Sequence, residues 1–162
     1  MREFNLLADY PKPKEPRYAG SNLRTIEHRI IASYREKDFF DGHRNYGYGG
    51  FKYDGRWKKV ADNICKEYEL NNDSSFLQIG CEKGFLLKDI KSKFPDMKIE
   101  GLETSKYALS NSIEEAKNNI KYTENYLKLD YKNNQFDFLL ALGIVYCQSI
   151  SDSIKILKEI QR

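Results

Sequence analysis

From residue 75 onward the chain alternates between two hydrophobic periods, and this alternation limits its fold more than any other feature of the sequence. The segment FLQIGCEKGFLLKDI, residues 76–90, is a short apolar run closed by Gly80. It is followed by a helical face of Leu86, Leu87, Ile90 and Phe94 that Pro95 terminates. Met97 to Leu102 alternates as a second strand, and Ala108, Leu109, Ser112, Ile113 and Ala116 mark the next helix. Ile120 to Glu124 reads as a third strand, Phe136 to Leu142 as a fourth, and Ile150, Ile154, Leu157 and Ile160 as a last helix. Strands separated by helical segments pair in parallel through right-handed crossovers, so the pattern predicts an α/β, doubly wound parallel sheet of about four strands.

The part before the sheet has a different character. Residues 9–20, DYPKPKEPRYAG, hold three of the four prolines and predict an extended arm. Leu23, Ile26, Ile30 and Tyr34 recur at helical spacing after Ser21 or Asn22 as N-cap, which predicts a helix over about 22–37. An aromatic and glycine-rich stretch follows, DFFDGHRNYGYGGFKYDG, whose glycines argue against a regular helix. Trp57, Val60, Ala61, Ile64, Cys65 and Tyr68 then fit an amphipathic helix ending near Leu70. The expected division is an N-terminal helical and aromatic-glycine arm over 1–55 and a sheet domain over 56–162.

Composition narrows the function classes. With 162 residues there is room for one core. The net charge of +3 comes from 27 basic and 24 acidic residues interspersed along the chain, which argues against a nucleic-acid partner. The longest apolar run, Phe136 to Tyr146, is about half of the ~20 residues a spanning helix needs, and the N-terminus lacks a secretory pattern. A cytoplasmic, non-membrane protein is expected. Three widely spaced cysteines, Cys65, Cys81 and Cys147, offer neither a disulfide framework nor a metal knuckle, so no metal site is expected.

In an open α/β sheet the turn after the first strand lies at the carboxyl edge, where ligands bind. Gly80 and Gly84 leave the backbone bare there, and the N–H groups at the start of the following helix would face the ligand. In KIEGLETS, Glu103 ends the second strand about twenty residues downstream, placed to accept hydrogen bonds from both hydroxyls of a ribose. A nicotinamide dinucleotide would need G-x-G-x-x-G under its pyrophosphate, and Glu82 would repel that group.

These residues resemble the class I, Rossmann-like S-adenosylmethionine-dependent methyltransferases. Gln78 to Gly84 is similar to their first motif, with Gly80 and Gly84 at the first and third glycine positions, and Glu103 matches the ribose-binding acid of the second. TENYLKLDYKNNQFDFLLALG is similar to the third and fourth motifs. The resemblance covers about residues 40–162 and implies S-adenosylmethionine as cofactor, held by Gln78, Gly80, Cys81, Glu82, Gly84, Glu103 and Thr104. Asn125 and Tyr126 would lie near the adenine and the FDFLLA strand beside the transferred methyl, with Leu142 also among the cofactor-binding residues.

Two residues depart from the family pattern: Gln78 stands for the usual acid and Glu82 for the middle glycine. The expectation is that Glu82 keeps an ordinary backbone and that its carboxylate replaces the missing acid on the cofactor's ammonium. The arm is either a lid, with Tyr46, Tyr48, Tyr53 or Arg56 meeting the methionine carboxylate, or an appendage pinned to the sheet by its aromatics. His43, Asp41 and Tyr146 are the candidates for a catalytic group, and burial accounts for Cys147. His28 falls on the polar side of its helix and reads as solvated.

The expected activity is methyl transfer to a small-molecule acceptor, with a non-catalytic binding module as the alternative. The resemblance stops before the family's fifth strand, so Phe136 to Leu142 would form an exposed apolar sheet edge. That edge would be paired with a partner or a second copy, or else the chain is a fragment.

Overall fold

The computed structural model describes residues 3–12, 20, 23–145 and 148–162. Its centre is a four-stranded parallel sheet in the order β3-β2-β1-β4, with β1 at Ser75–Ile79, β2 at Lys98–Glu103, β3 at Ile120–Tyr122 and β4 at Phe138–Ala141. The chain crosses outward from β1 to β3 and then returns to the other side of β1. The switch point of the sheet, where ligands bind in such folds, is therefore the carboxyl end of β1. Ile79 is in register with Leu102 on one side and Ala141 on the other, which brings Gly80 level with Glu103.

Each face of β1 buries alternate side chains. Phe76 joins Val60 and Ile64 of helix α3 (Lys58–Glu67) and Leu87 and Ile90 of helix α4 (Phe85–Lys93). Leu77 and Ile79 face the other way, onto Leu102, Leu129 and Ile156 of helix α6 (Ile150–Ile160). Burying each such side chain is worth roughly 1.5–3 kcal/mol, so these two apolar layers hold the sheet. A third cluster, Phe40, Phe51, Phe85 and Ala108, joins the arm to the sheet domain.

The helix expected over 22–37 is shorter and broken. It runs as α1, Ile26–Ser33, and resumes as α2, Lys37–Asp41, with Arg35 at φ +49 between them. Ser21 and Asn22 lie outside the described residues, and the N-cap is Thr25. Its hydroxyl accepts the His28 N–H at 3.3 Å, while His28 Nδ1 accepts the Thr25 N–H at 3.1 Å. His28 therefore has a capping task that its polar-face position did not reveal. The apolar stripe of α1 is not buried, since Leu23, Ile26, Ile30 and Tyr34 are all exposed.

Helix α2 occupies the start of the stretch whose glycines argued against helix, because those glycines begin only at Gly42. The helix expected around 108–116 divides into α5, Lys106–Ser110, and a 3₁₀ turn at Glu114–Asn119. Between them the Ile113 N–H donates to the Lys83 carbonyl at 2.9 Å, which diverts the backbone toward the turn after β1. Among the described residues β4 is the end strand, hydrogen-bonded to β1 alone. No helix among the described residues is long and apolar enough to cross a membrane.

Gly84 shows how tightly this turn is packed. Its φ is +78, and an added Cβ would come within 2.7 Å of Ile120 Cδ1 and 3.0 Å of the Ala116 Cβ. A left-handed non-glycine residue costs about 1–2 kcal/mol and overpacking about 1–3 more. Gly84→Ala is expected to lower unfolding free energy by roughly 2–4 kcal/mol in urea titrations. Gly50→Ala, with φ +108 but open space around it, should show the smaller backbone component alone.

Candidate functional site

Gly80 leaves β1 with φ +70, and an added Cβ would meet Ile144 Cγ2 at 2.6 Å. The N–H groups of Gly80 and Cys81 both donate to the Leu102 carbonyl, at 2.9 and 3.1 Å, and the Gly84 N–H donates to the Cys81 carbonyl at 2.9 Å. The turn thus spends these amides on its own closure. The Glu82 N–H donates to Glu103 Oε2 at 2.6 Å, and the Thr104 and Ser105 N–H groups both donate to Glu103 Oε1 at 2.9 Å. Glu103 is only 1% exposed, and three backbone donors offset the cost of burying its charge.

Glu82 does not keep an ordinary backbone. Its φ is +54, so the family's middle-glycine position retains its left-handed geometry here although a carboxylate occupies it. That conformation costs about 1–2 kcal/mol, and side-chain contacts oppose the cost. Glu82 Oε1 accepts from the Arg35 guanidinium at 3.0 Å and from the Tyr48 hydroxyl at 2.8 Å. Burial pushes its carboxyl pKa above the ordinary glutamate value, with Arg35 and Tyr48 opposing and the nearby Glu103 charge adding to the rise.

The next residue also reaches the arm. Lys83 is 6% exposed, and its ammonium donates to Asp41 Oδ2 at 2.6 Å and to the Phe51 carbonyl at 3.0 Å. Tyr107 donates its hydroxyl to the same Asp41 oxygen at 2.7 Å, and the Phe51 N–H donates to Asp41 Oδ1 at 2.9 Å. Burial alone would raise the Asp41 carboxyl, but hydrogen bonds from Lys83, Tyr107 and Phe51 together hold it below its ordinary value. Asp41 is therefore a committed acceptor, poorly suited to act as a general base. Adjacent residues of one turn hold the arm through separate charged contacts.

Other expected residues fall around this centre or away from it. Gln78 is buried, and its Oε1 has no hydrogen-bond partner among the described residues. Cys81 is a buried thiol raised well above its ordinary pKa by burial, with the charges of Glu103 and Glu82 adding. The Tyr126 hydroxyl and the Leu142 carbonyl come within 3.8 and 4.0 Å of the Cβ position of Gly80. Tyr126 is itself buried, and burial followed by the Glu103 charge raises its phenol pKa. Asn125 is exposed and shapes its loop, its Oδ1 accepting the Leu127 N–H at 2.9 Å.

Tyr53 donates to Asp89 at 2.5 Å on the α4 side, and Arg56 grips Asp54 at 2.6 Å and Tyr10 at 3.3 Å. The structure does not bring these two to the turn. His43 is exposed on the arm, its Nδ1 accepting the Asn45 N–H at 3.3 Å. Tyr146 and Cys147 lie outside the described residues. Arg35, Lys83 and Tyr107 complete the site although the sequence reading did not select them. Lys83 lay between motif residues, and Arg35 carries no local signal because its role depends on a tertiary contact.

The clamp gives a pH-dependent expectation. Removing one partner of a buried ion pair leaves the other charge unpaired, so Asp41→Asn should lower stability at pH 7 by roughly 2–4 kcal/mol. A carboxyl held below its ordinary 3.8 contributes stability above that value and loses it as pH falls through its folded pKa. In urea titrations the gap between wild type and Asp41→Asn should therefore be widest near neutrality and close below that value. A constant gap across the range would show that the carboxylate charge is not what stabilises the clamp.

A model of the methyltransferase domain family matches residues 77–162. Among solved structures, the chain is similar to a protein of Methanococcus maripaludis assigned as an S-adenosyl-L-methionine-dependent methyltransferase. The TM-score is 0.54 at 18% identity, over 65% of this chain and 49% of that one. It is also similar to a SAM-dependent methyltransferase from Aquifex aeolicus, with a TM-score of 0.51 at 18% identity over 68% of this chain and 67% of that one. A third likeness is to the MccD protein, with a TM-score of 0.51 at 23% identity over 62% of this chain and 45% of that one. The chain thus spans about half the length of the first of these structures. No curated protein matches the sequence. These likenesses establish the Rossmann-like fold, and the family match covers more than half of the chain, including the turn and Glu103: this chain belongs to the methyltransferase domain family.

Proposed function

We propose that this chain is the cofactor-binding part of an S-adenosylmethionine-dependent methyltransferase that transfers a methyl group to a small-molecule acceptor. The observation that carries this reading is the position of Glu103. It is a buried carboxylate at the end of β2, level with the left-handed Gly80 at the switch point of the sheet. A carboxylate offers about four lone-pair sites, and three N–H donors leave one for a ribose hydroxyl. Buried Gln78 Oε1, lacking a partner among the described residues, is an acceptor suited to the ammonium group of an amino acid. On these two points the residues fit the cofactor.

When bound, the cofactor supplies a methyl group already activated by a sulfonium, so the protein's share of the work is alignment and exclusion of water. In this reading Glu103 orients the ribose, Gln78 and Glu82 meet the ammonium, and Tyr126 and Asn125 border the adenine. The arm, fixed by Arg35 and Asp41, covers the turn as a lid. Entry of the nucleoside requires Ile144 and Tyr126 to move away from Gly80.

Calorimetric titration with S-adenosylhomocysteine tests the reading. The wild-type chain should bind saturably, and Glu103→Gln should weaken affinity roughly tenfold or more, since a charge-assisted hydrogen bond is worth about 1.5–3 kcal/mol. Circular dichroism of the variant would confirm that its fold persists. A chain indifferent to saturating S-adenosylhomocysteine would overturn the cofactor assignment. Binding without transfer from labelled S-adenosylmethionine to any small molecule of a lysate would select the binding module.

A further inference from the structure

Tyr48 has a second environment besides Glu82. It lines a half-open cavity of about 760 Å³ between the N-terminal segment and the glycine-rich arm. Small-molecule sites span roughly 300–1,000 Å³, so this space is large enough for one. Among the described residues its walls carry Lys12, Arg24, Arg44, Lys52 and Arg56 against a single acid, Asp54, which Arg56 already grips at 2.6 Å. Over the whole chain basic and acidic residues are near parity, 27 to 24, so this five-to-one imbalance is local.

Several of the basic groups are held in place. The Arg44 guanidinium donates to the Gly47 carbonyl, Arg24 donates to the Arg44 carbonyl at 3.4 Å, and Arg56 reaches the Tyr10 hydroxyl at 3.3 Å. Tyr10, Phe39 and Phe51 supply apolar wall between them. The backbone is shaped to the same end. A Cβ on Gly47 would strike the Phe39 carbonyl at 2.1 Å, and Gly49 and Gly50 turn the chain at φ +72 and +108. Gathering like charges around one concave space raises the electrostatic energy of the chain and focuses a positive potential into it, and a bound anion relieves that energy. Arginine forks match the paired oxygens of carboxylate and phosphate groups.

We infer that this cavity binds a small molecule bearing clustered oxyanion charges, phosphoryl or carboxylate, and that this anion is the methyl acceptor. The second half rests on the methyltransferase reading. What links the two is Tyr48, which lines the cavity while its hydroxyl holds Glu82 on the cofactor turn. A space of about 760 Å³ fits a small molecule, whereas a nucleic-acid backbone needs a basic track that runs on beyond it.

Trp57 makes the test direct. It is the chain's single tryptophan, and its ring centroid lies 4.8 Å from that of Tyr10 in the cavity wall. The full chain would be titrated with inorganic pyrophosphate and, separately, with citrate, following Trp57 fluorescence and heat. Saturable binding that weakens with added salt is expected, and the tighter probe names the charged group. Arg24→Glu with Lys52→Glu, both at exposed positions, should weaken binding roughly tenfold or more without changing the circular dichroism. Arg44→Ala should do the same.

No saturable binding of either probe, or affinity unchanged in both variants, overturns the anion site. Titration with S-adenosylhomocysteine in parallel keeps the two readings apart. Cofactor binding without anion binding sinks this inference alone, and anion binding without cofactor binding sinks the acceptor assignment together with the methyltransferase reading. Where both bind, saturating pyrophosphate should change cofactor affinity by at least about threefold through Tyr48, and reciprocally. Unchanged cofactor affinity would overturn the acceptor assignment.

Discussion

The carboxylate of Glu103 joined to the backbone N–H groups of Glu82, Thr104 and Ser105 is the interaction on which the rest of the structure depends. A charged group this deeply buried persists only when its hydrogen-bonding capacity is largely used. Here the donors come from two places: the loop after β2 and the turn after β1. The carboxylate therefore joins the ends of neighbouring strands, and the pairing of Ile79 with Leu102 sets the distance between them. Removing it would orphan backbone donors on both sides, so the side chain proposed to meet the ribose also has an architectural task.

The same contact explains the left-handed Glu82. Its N–H is drawn to Glu103, and the Gly80 and Cys81 N–H groups are drawn to the Leu102 carbonyl, so the turn has little freedom at residue 82. With the backbone fixed, the side chains of Glu82 and Lys83 both reach the arm. Burying two ion pairs contributes little net stability, because desolvation offsets most of the Coulombic gain. What such pairs contribute is position: a carboxylate placed between Arg35 and Tyr48, and an ammonium between Asp41 and the Phe51 carbonyl, hold the arm in one register. The aromatic contacts of Phe40, Phe51 and Phe85 supply the apolar area beneath them.

The sheet was legible in the sequence because each strand and helix carries its own period, and the placement of Gly80, Gly84 and Glu103 followed from the strand ends. The breaks were not legible. The interruption of the helix near residue 113 comes from its N–H meeting the Lys83 carbonyl, thirty residues away in sequence. The division between α1 and α2 turns on Arg35 leaving helical geometry to reach Glu82. Periodicity also misjudged α1, whose regular apolar stripe is exposed rather than packed. Arg56 and Tyr53 were drawn toward the site by composition alone, whereas their partners Asp54 and Asp89 hold them elsewhere. Lys83 was passed over because nothing in a turn motif distinguishes an outward lysine from one buried against an aspartate.

The glycine-rich arm reconciles these observations. Glycines spaced among aromatics suggest a loose cover, yet Gly42 and Gly47 sit where a Cβ would strike backbone, at 2.5 Å from the Asp38 carbonyl and 2.1 Å from that of Phe39. Such glycines permit close approach of packed segments, and they make the arm tight rather than slack. One side of the arm carries the partners of Glu82 and Lys83, and residues of the same arm wall the basic cavity. Tyr48 belongs to both environments, lining the cavity and holding Glu82 through its hydroxyl. A displacement at the turn that altered its bond to Glu82 would be felt in the cavity wall, and a ligand seated in the cavity would act back on the turn by the same contact. The coupling needs no long pathway, because a single side chain spans the distance.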